Sequence, residues 1–200
     1  MNKSYPIPAS ALQVIIEVKK SRFIAHASYV SDRKEALAQL QQAKQRYPDA
    51  RHHCWAYLIG NPASASSAAM NDDGEPSGTA GKPILNVIQH KGVGDVMIVV
   101  SRYFGGIKLG AGGLTRAYSG AAEAVMSQLP LMQQVATLSC RIVCQFSQEQ
   151  PVRHWATQQQ AHITDCQYGE QVTLTLEIAE STEADFQAWC DAHAIHRLED

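Results

Sequence analysis

The most apolar run of the chain, Val96-Met97-Ile98-Val99-Val100, stands between two glycine-rich segments. A strand that is apolar on both faces needs cover on both, so residues 95–101 belong inside a sheet. Behind the run, residues 105–113 read Gly-Gly-Ile-Lys-Leu-Gly-Ala-Gly-Gly. Glycine at that density marks backbone at positive φ, or backbone that another group approaches closely. A helix over 114–129 follows, with Ala117, Tyr118, Ala121, Val125 and Leu129 as its apolar stripe and Pro130 as its stop. Gly120, Ala122 and Ala124 leave room for a sheet to come close to that helix. Any fold for this chain must therefore set an interior strand, a glycine-rich crossover and a close-packed helix in succession.

The rest of the chain arranges itself around that unit. Leu12, Val14, Ile16 and Val18 alternate with polar neighbours, and Phe23, Ala25, Ala27 and Tyr29 resume the alternation after Lys19-Lys20-Ser21, which predicts a hairpin. Asp32 with Glu35 is a capping-box-like start for a helix that Pro48 ends. Residues 51–59 read as an interior strand, and 83–90 as a short helix between Pro83 and Gly92. Between these two, 60–82 collapses to Ala, Ser, Asn, Asp, Gly and Pro, and its first half, 61–67, reads as mobile filler. Beyond 132 the order is strand 135–146, helix 147–160, hairpin 162–168 with 171–178, helix 182–191 and strand 194–198. That is the βαββαβ pattern of a ferredoxin-like domain with one sheet face open.

Charge changes at the same place. Residues 1–132 hold 14 Lys and Arg against 9 Asp and Glu, whereas 133–200 hold 3 against 10. A two-domain α+β protein follows, with domains 1–132 and 133–200, and a polyanionic partner would meet the first. The five cysteines form no Cys-x-x-Cys pair, which argues against a zinc knuckle or a disulfide framework. The first residues lack the apolar core of a signal peptide, and no apolar run approaches a membrane span. A cytoplasmic protein with no membrane contact is expected.

Two motifs carry chemistry. The glycine segment opens a helix, and Arg102, Lys108 and Arg116 add three cations with no acid among them. Helix N–H groups, glycines and cations together suit a phosphate or a nucleic-acid backbone, through Gly105, Gly106, Gly110, Gly112 and Gly113. The segment has neither the Gly-Lys-Ser/Thr of a Walker loop nor the dinucleotide fingerprint. Ahead of the strand, Asp72-Asp73-Gly74-Glu75-Pro76 with Thr79 could hold a divalent cation or act as acid and base, but a turn braced by Asp side chains is the better reading. Ser77 and Thr79 have no nearby base, and His52, His53 and Cys54 alternate along a strand and cannot chelate together. No catalytic residue, metal or cofactor is assigned.

These motifs resemble the IMPACT family. Asp72-Asp73-Gly74-Glu75-Pro76 with Gly78-Thr79-Ala80-Gly81 and Pro83, followed by Arg102-Tyr103-Phe104-Gly105-Gly106, Leu109-Gly110, Gly112-Gly113-Leu114 and Arg116-Ala117-Tyr118, is similar to its bacterial, YigZ-type branch. The resemblance implies a ribosomal-protein-domain-2-like α/β sandwich over 1–132. It also implies a ferredoxin-like domain over 133–200 similar to domain V of elongation factor G. Eukaryotic members inhibit an amino-acid-starvation kinase by means of a further N-terminal module, and this chain is expected to lack that role because it opens directly into the strand at Leu12. Together these point to a non-enzymatic, translation-linked regulator binding RNA or a ribosome-associated partner, with protein as a further partner of the C-terminal domain. The competing reading is an enzyme acting on a small phosphorylated or peptide substrate with Asp72, Asp73 and Glu75.

Overall fold

The apolar run is the middle strand of a five-stranded antiparallel sheet. In the computed structural model, which describes residues 4–198, one unit is Ser4–Gln134 and a second begins at Val135. The first contains β1 (Tyr5–Pro8), β2 (Leu12–Val18), β3 (Ser21–Tyr29), α1 (Arg33–Arg46), β4 (His52–Ile59), β5 (Ser67–Asn71), α2 (Gly81–Lys91), β6 (Val96–Tyr103), α3 (Gly110–Met126) and β7 (Leu131–Gln134). Its large sheet has the order β2-β3-β6-β4-β5.

Alternation along β6 divides the core in two. Val96, Ile98 and Val100 pack with Phe23, Cys54, Leu58 and the apolar stripes of α2 and α3. Met97 and Val99 pack with Leu40, Ala43 and Tyr57 on the side of α1. Helices thus cover both faces of the sheet, as five consecutive apolar residues require. Arg102 continues the Val96-Ile98-Val100 row and so falls on the face of α2 and α3. The Asp32 carboxylate caps α1 by accepting the Glu35 N–H at 2.8 Å, and Glu35 in turn accepts the Ser31 N–H at 2.8 Å.

Three local expectations need correction. Helix α3 starts at Gly110 rather than 114, so Gly110, Gly112 and Gly113 belong to its first turn and the loop proper is only 104–109. The low-complexity stretch 60–82 contains β5, which pairs with β4 from Trp55↔Asn71 to Ile59↔Ser67; an edge strand can be built on backbone pairing without an apolar pattern. Residues 133 and 134, expected to open the second domain, pair with β1 (Pro6↔Gln133, Tyr5↔Gln134). The two prolines of β1 hid that strand, yet a two-stranded ribbon is all edge and tolerates them.

The second unit has β8 (Thr137–Cys144), α4 (Glu149–Gln158), β9 (His162–Tyr168), β10 (Val172–Ala179), α5 (Glu183–Ala192) and β11 (His196–Leu198), in sheet order β11-β8-β10-β9. This is the expected ferredoxin-like βαββαβ topology. Val172, Leu174, Leu176 and Ile178 are all buried and pack with Trp155 and Phe186, while Thr173, Thr175 and Glu177 alternate outward. Among the described residues no helix is long and apolar enough to cross a membrane.

Candidate functional site

The first glycine motif folds as a tight turn. Asp73 (φ 43°) and Gly74 (φ 83°) form its centre, and the Glu75 N–H closes it on the Asp72 carbonyl at 3.0 Å. Two consecutive positive φ values are what a type I′ turn demands. The Asp72 carboxylate accepts the N–H groups of Gly78 (2.8 Å), Ala80 (2.9 Å) and Gly81 (2.8 Å). It thereby caps α2, which has no cap of its own at Ala80. Burial works against that charge, but the three backbone donors outweigh it and hold the carboxyl below its ordinary value. Asp73 accepts the His53 N–H at 2.6 Å, and the Thr79 hydroxyl donates to the Pro76 carbonyl at 2.6 Å. Asp72 and Asp73 therefore brace the loop, and the acid–base role considered for them has no geometric support.

Glu75 does something different: the turn swings it under the sheet. Its Oε1 accepts from Arg102 Nη1 at 2.6 Å and from the Tyr118 hydroxyl at 2.8 Å. The two charged side chains retain only 7% and 4% of their exposure. Arg102 also reaches Ser21 Oγ, at 3.5 Å, which accepts the Gly105 N–H at 3.1 Å. Its Nε is buried and has no hydrogen-bond partner among the described residues. The guanidinium carbon lies 5.5 Å from the Phe23 ring and 5.7 Å from the Phe104 ring. The Cys54 thiol sits 2.9 Å from the Asp72 carbonyl oxygen and 3.3 Å from the Tyr118 hydroxyl. Burial pushes that thiol up to about 12, and burial, with Cys54 and Glu75 nearby, raises Tyr118 well above its ordinary value.

This network ties the two motifs together. Glu75 belongs to the first, Arg102 and Gly105 to the second, and Tyr118 to α3. It also bears on the expectation of Arg102 as an anion-binding cation: its head is committed to Glu75, and it positions the loops. In the sequence Tyr118 and Cys54 are legible only as packing residues, and Ser21 only as part of a turn. The signal for them lay in Arg102 itself, because an arginine continuing a core-facing row must meet a carboxylate.

Above the network lies an open cleft of about 380 Å³, walled by Gly74-Glu75-Pro76 on one side and by Phe104, Lys108 and Leu109 on the other. The first turn of α3 opens into it through Gly110 and Ala111. That helix has no side-chain cap at Leu109 and no acid in its first turn; where α1 and α2 receive the Asp32 and Asp72 carboxylates, its first N–H groups have no side-chain acceptor among the described residues. Gly105 is demanded by the fold, since a Cβ there would stand 2.0 Å from the Lys20 carbonyl carbon. Gly112 is not: a Cβ there would meet nothing closer than Arg116 Nη1 at 3.8 Å. Gly106 and Gly110 take positive φ, 85° and 69°. Lys108 and Arg51 are exposed and line the cleft. Arg116 lines a neighbouring hollow with Lys19 and Gly113, which shares Leu109 with the cleft. The three expected cations are thus not one cluster. Among the described residues Lys108, Arg116, Arg51 and Lys19 form no ion pair; the six that exist involve other cations. No group of three or more His, Cys, Asp or Glu among the described residues is arranged to hold a metal.

His52 stands on the cleft wall. Its Nδ1 lies 2.8 Å from the Asp73 carbonyl oxygen, which can only accept, so Nδ1 donates, and the tautomer with that N–H leaves Nε2 as the acceptor. That atom is 4.0 Å from Glu75 Oε1. His53 points to the other face, where its Nδ1 meets Ser101 Oγ at 2.8 Å, and burial lowers its pKa.

Comparison with known proteins matches this arrangement to one family. The Impact N-terminal domain model matches residues 19–126, and a domain of unknown function (DUF1949) matches residues 142–190. An IMPACT family member of Haemophilus influenzae is 36% identical over 194 residues, covering 97% of this chain and 94% of its own. The IMPACT family member YigZ of Escherichia coli is 36% identical over 186 residues, 93% of this chain and 91% of its own. A crystal structure described as that of a hypothetical protein superposes with a TM-score of 0.76 at 33% identity, covering all of this chain and 98% of its own.

Proposed function

The chain belongs to the IMPACT family, and from that premise we propose that it is a translation-linked regulator that binds RNA, or another phosphate-bearing partner, at the start of α3. One observation carries the reading. Among the described residues α3 is the helix whose start opens into the cleft, and neither a side-chain cap nor an acid of its first turn meets its N–H groups there; Lys108 and Arg116, in no ion pair among the described residues, stand beside it. Helix N–H groups and the positive end of the dipole attract anions. Cations without carboxylate partners are free to release counterions when a phosphate chain arrives. The spare room at Gly112 lets the chain come near the backbone, and Gly110 and Gly113 extend the same surface. Arg102, with Glu75, holds the surface in shape from below. In this reading the open face of the second unit's sheet meets a protein partner, and the protein works in the cytoplasm.

A salt titration of RNA affinity tests the proposal. Lys108→Ala and Arg116→Ala should each weaken binding similarly across sequences, because phosphate contacts carry no base information. Each should lower the salt slope by roughly one unit. Gly112→Ala should weaken binding while leaving stability equal or higher, since alanine is the better helix former by up to about 1 kcal/mol. Absence of binding at low salt, or slopes identical to that of the wild type, would discard the reading.

A further inference from the structure

The cleft contains more than a phosphate needs. Its rim is cationic, but its floor carries the Glu75 carboxylate, already paired with Arg102. Glu75 Oε2 has no hydrogen-bond partner among the described residues, and His52 Nε2 stands 4.0 Å from Glu75 Oε1. A bare anion deep in the cleft would meet the Glu75–Arg102 pair, whose charges offset one another, and would gain no net attraction there. The side is also apolar and aromatic: Phe104 keeps 46% of its surface exposed while lining the cleft with Pro76 and Leu109. The ring is not loose, because the Arg102 guanidinium carbon lies 5.7 Å from its centroid and that guanidinium is itself pinned by Glu75. A ligand complementary to all three features must offer an anion for the rim, a flat π-face for Phe104 and N–H donors for the floor. A nucleotide does so, with its phosphate, its ring and the donor edge of its base.

We infer that the cleft takes single-stranded RNA, with one unstacked base laid on Phe104 and its N–H edge turned towards Glu75 and His52. The inference rests on the phosphate reading above and adds to it the form of the strand. In a duplex the bases are stacked on one another and paired along those edges, so neither Phe104 nor Glu75 could reach them. Stacking on an aromatic side chain is tolerant of sequence, so weak base preference accompanies strong preference for the unpaired form.

Fluorescence anisotropy with three probes of equal length tests this: a labelled single-stranded RNA of about 10 nucleotides, the same strand in a duplex, and an abasic sugar–phosphate oligomer. The single strand should bind about tenfold tighter than the other two, the effect expected of one stacked base. Phe104→Leu should remove that advantage and leave abasic binding unchanged, whereas Phe104→Trp should keep it. Thermal melting checks that both variants fold. Lys108→Ala should weaken all three probes alike. Equal affinities for the three probes, still sensitive to Lys108→Ala, would overturn the stacked base and leave the phosphate reading standing. No binding by any probe at low salt would overturn both. A ribonucleoside monophosphate that competes as well as the oligomer would overturn the strand in favour of a free nucleotide.

Discussion

Removing the carboxylate of Glu75 should be the most damaging single change to the cleft. In Glu75→Ala the Arg102 guanidinium stays where β6 places it, with 7% of its side chain exposed. It would have lost the 2.6 Å bond from Nη1 and would keep only the long 3.5 Å contact from Nη2 to Ser21. Its Nε has no partner among the described residues even before the substitution. Tyr118 loses the acceptor of its hydroxyl at the same time. Breaking a buried pair by removing one partner costs about 3–5 kcal/mol, most of it the uncompensated charge left behind. The double variant Glu75→Leu with Arg102→Met leaves no stranded charge and should recover most of the loss. Equilibrium urea unfolding of the whole chain, followed by far-ultraviolet circular dichroism and fitted for two units, reads these values. A loss below about 1 kcal/mol for Glu75→Ala is what an exposed pair gives, and would refute the claim that this pair is buried and joins the two loops. So would a double variant less stable than Glu75→Ala alone.

Two other perturbations follow from the same loops. The depressed pKa of Asp72 contributes stability that is fully present above its unfolded value of about 3.9 and is lost as pH falls through the lower folded value. Stability measured from pH 7 down to pH 3 should therefore decline more steeply in the wild type than in Asp72→Asn, and parallel declines would contradict the capping role. Gly105→Ala would bring a Cβ to 2.0 Å from the carbonyl carbon of Lys20 and 2.1 Å from its oxygen. Both are backbone atoms, so the β2–β3 turn must shift, at a cost of at least about 1–3 kcal/mol in urea unfolding; an unchanged midpoint would mean the loop packs elsewhere.

How far the sequence could carry this reading depended on whether side chains or backbone wrote the signal. The apolar run of β6, the stripe of α3 and the alternation of Val172, Leu174, Leu176 and Ile178 are burial patterns, and they placed the strands, helices and ferredoxin-like unit correctly. Strands β1, β5 and β7 are held by backbone pairing at edges, and their side chains show no alternation to read. The start of α3 was missed for a related reason. Glycine has low helix propensity, so Gly110-Ala111-Gly112-Gly113 looks like loop although Leu114 onward pulls it into the helix.

Arg102 is the instructive case. Counting charge along the glycine segment groups it with Lys108 and Arg116, because all three lie within residues 102–116 and no acid lies among them. Strand period gives the opposite answer: two residues after Val100 on β6, it had to point into the core beside Phe23 and Tyr118. A guanidinium there cannot shed its charge, so some carboxylate had to follow it in, and Glu75, held at the end of a positive-φ turn, is that carboxylate. One cation is thereby withdrawn from the surface, and it fixes the depth and lining of the cleft. On the proposed function a phosphate chain would then be met by Lys108, Arg116 and the amides of α3, and what enters below them would meet Glu75 and Phe104.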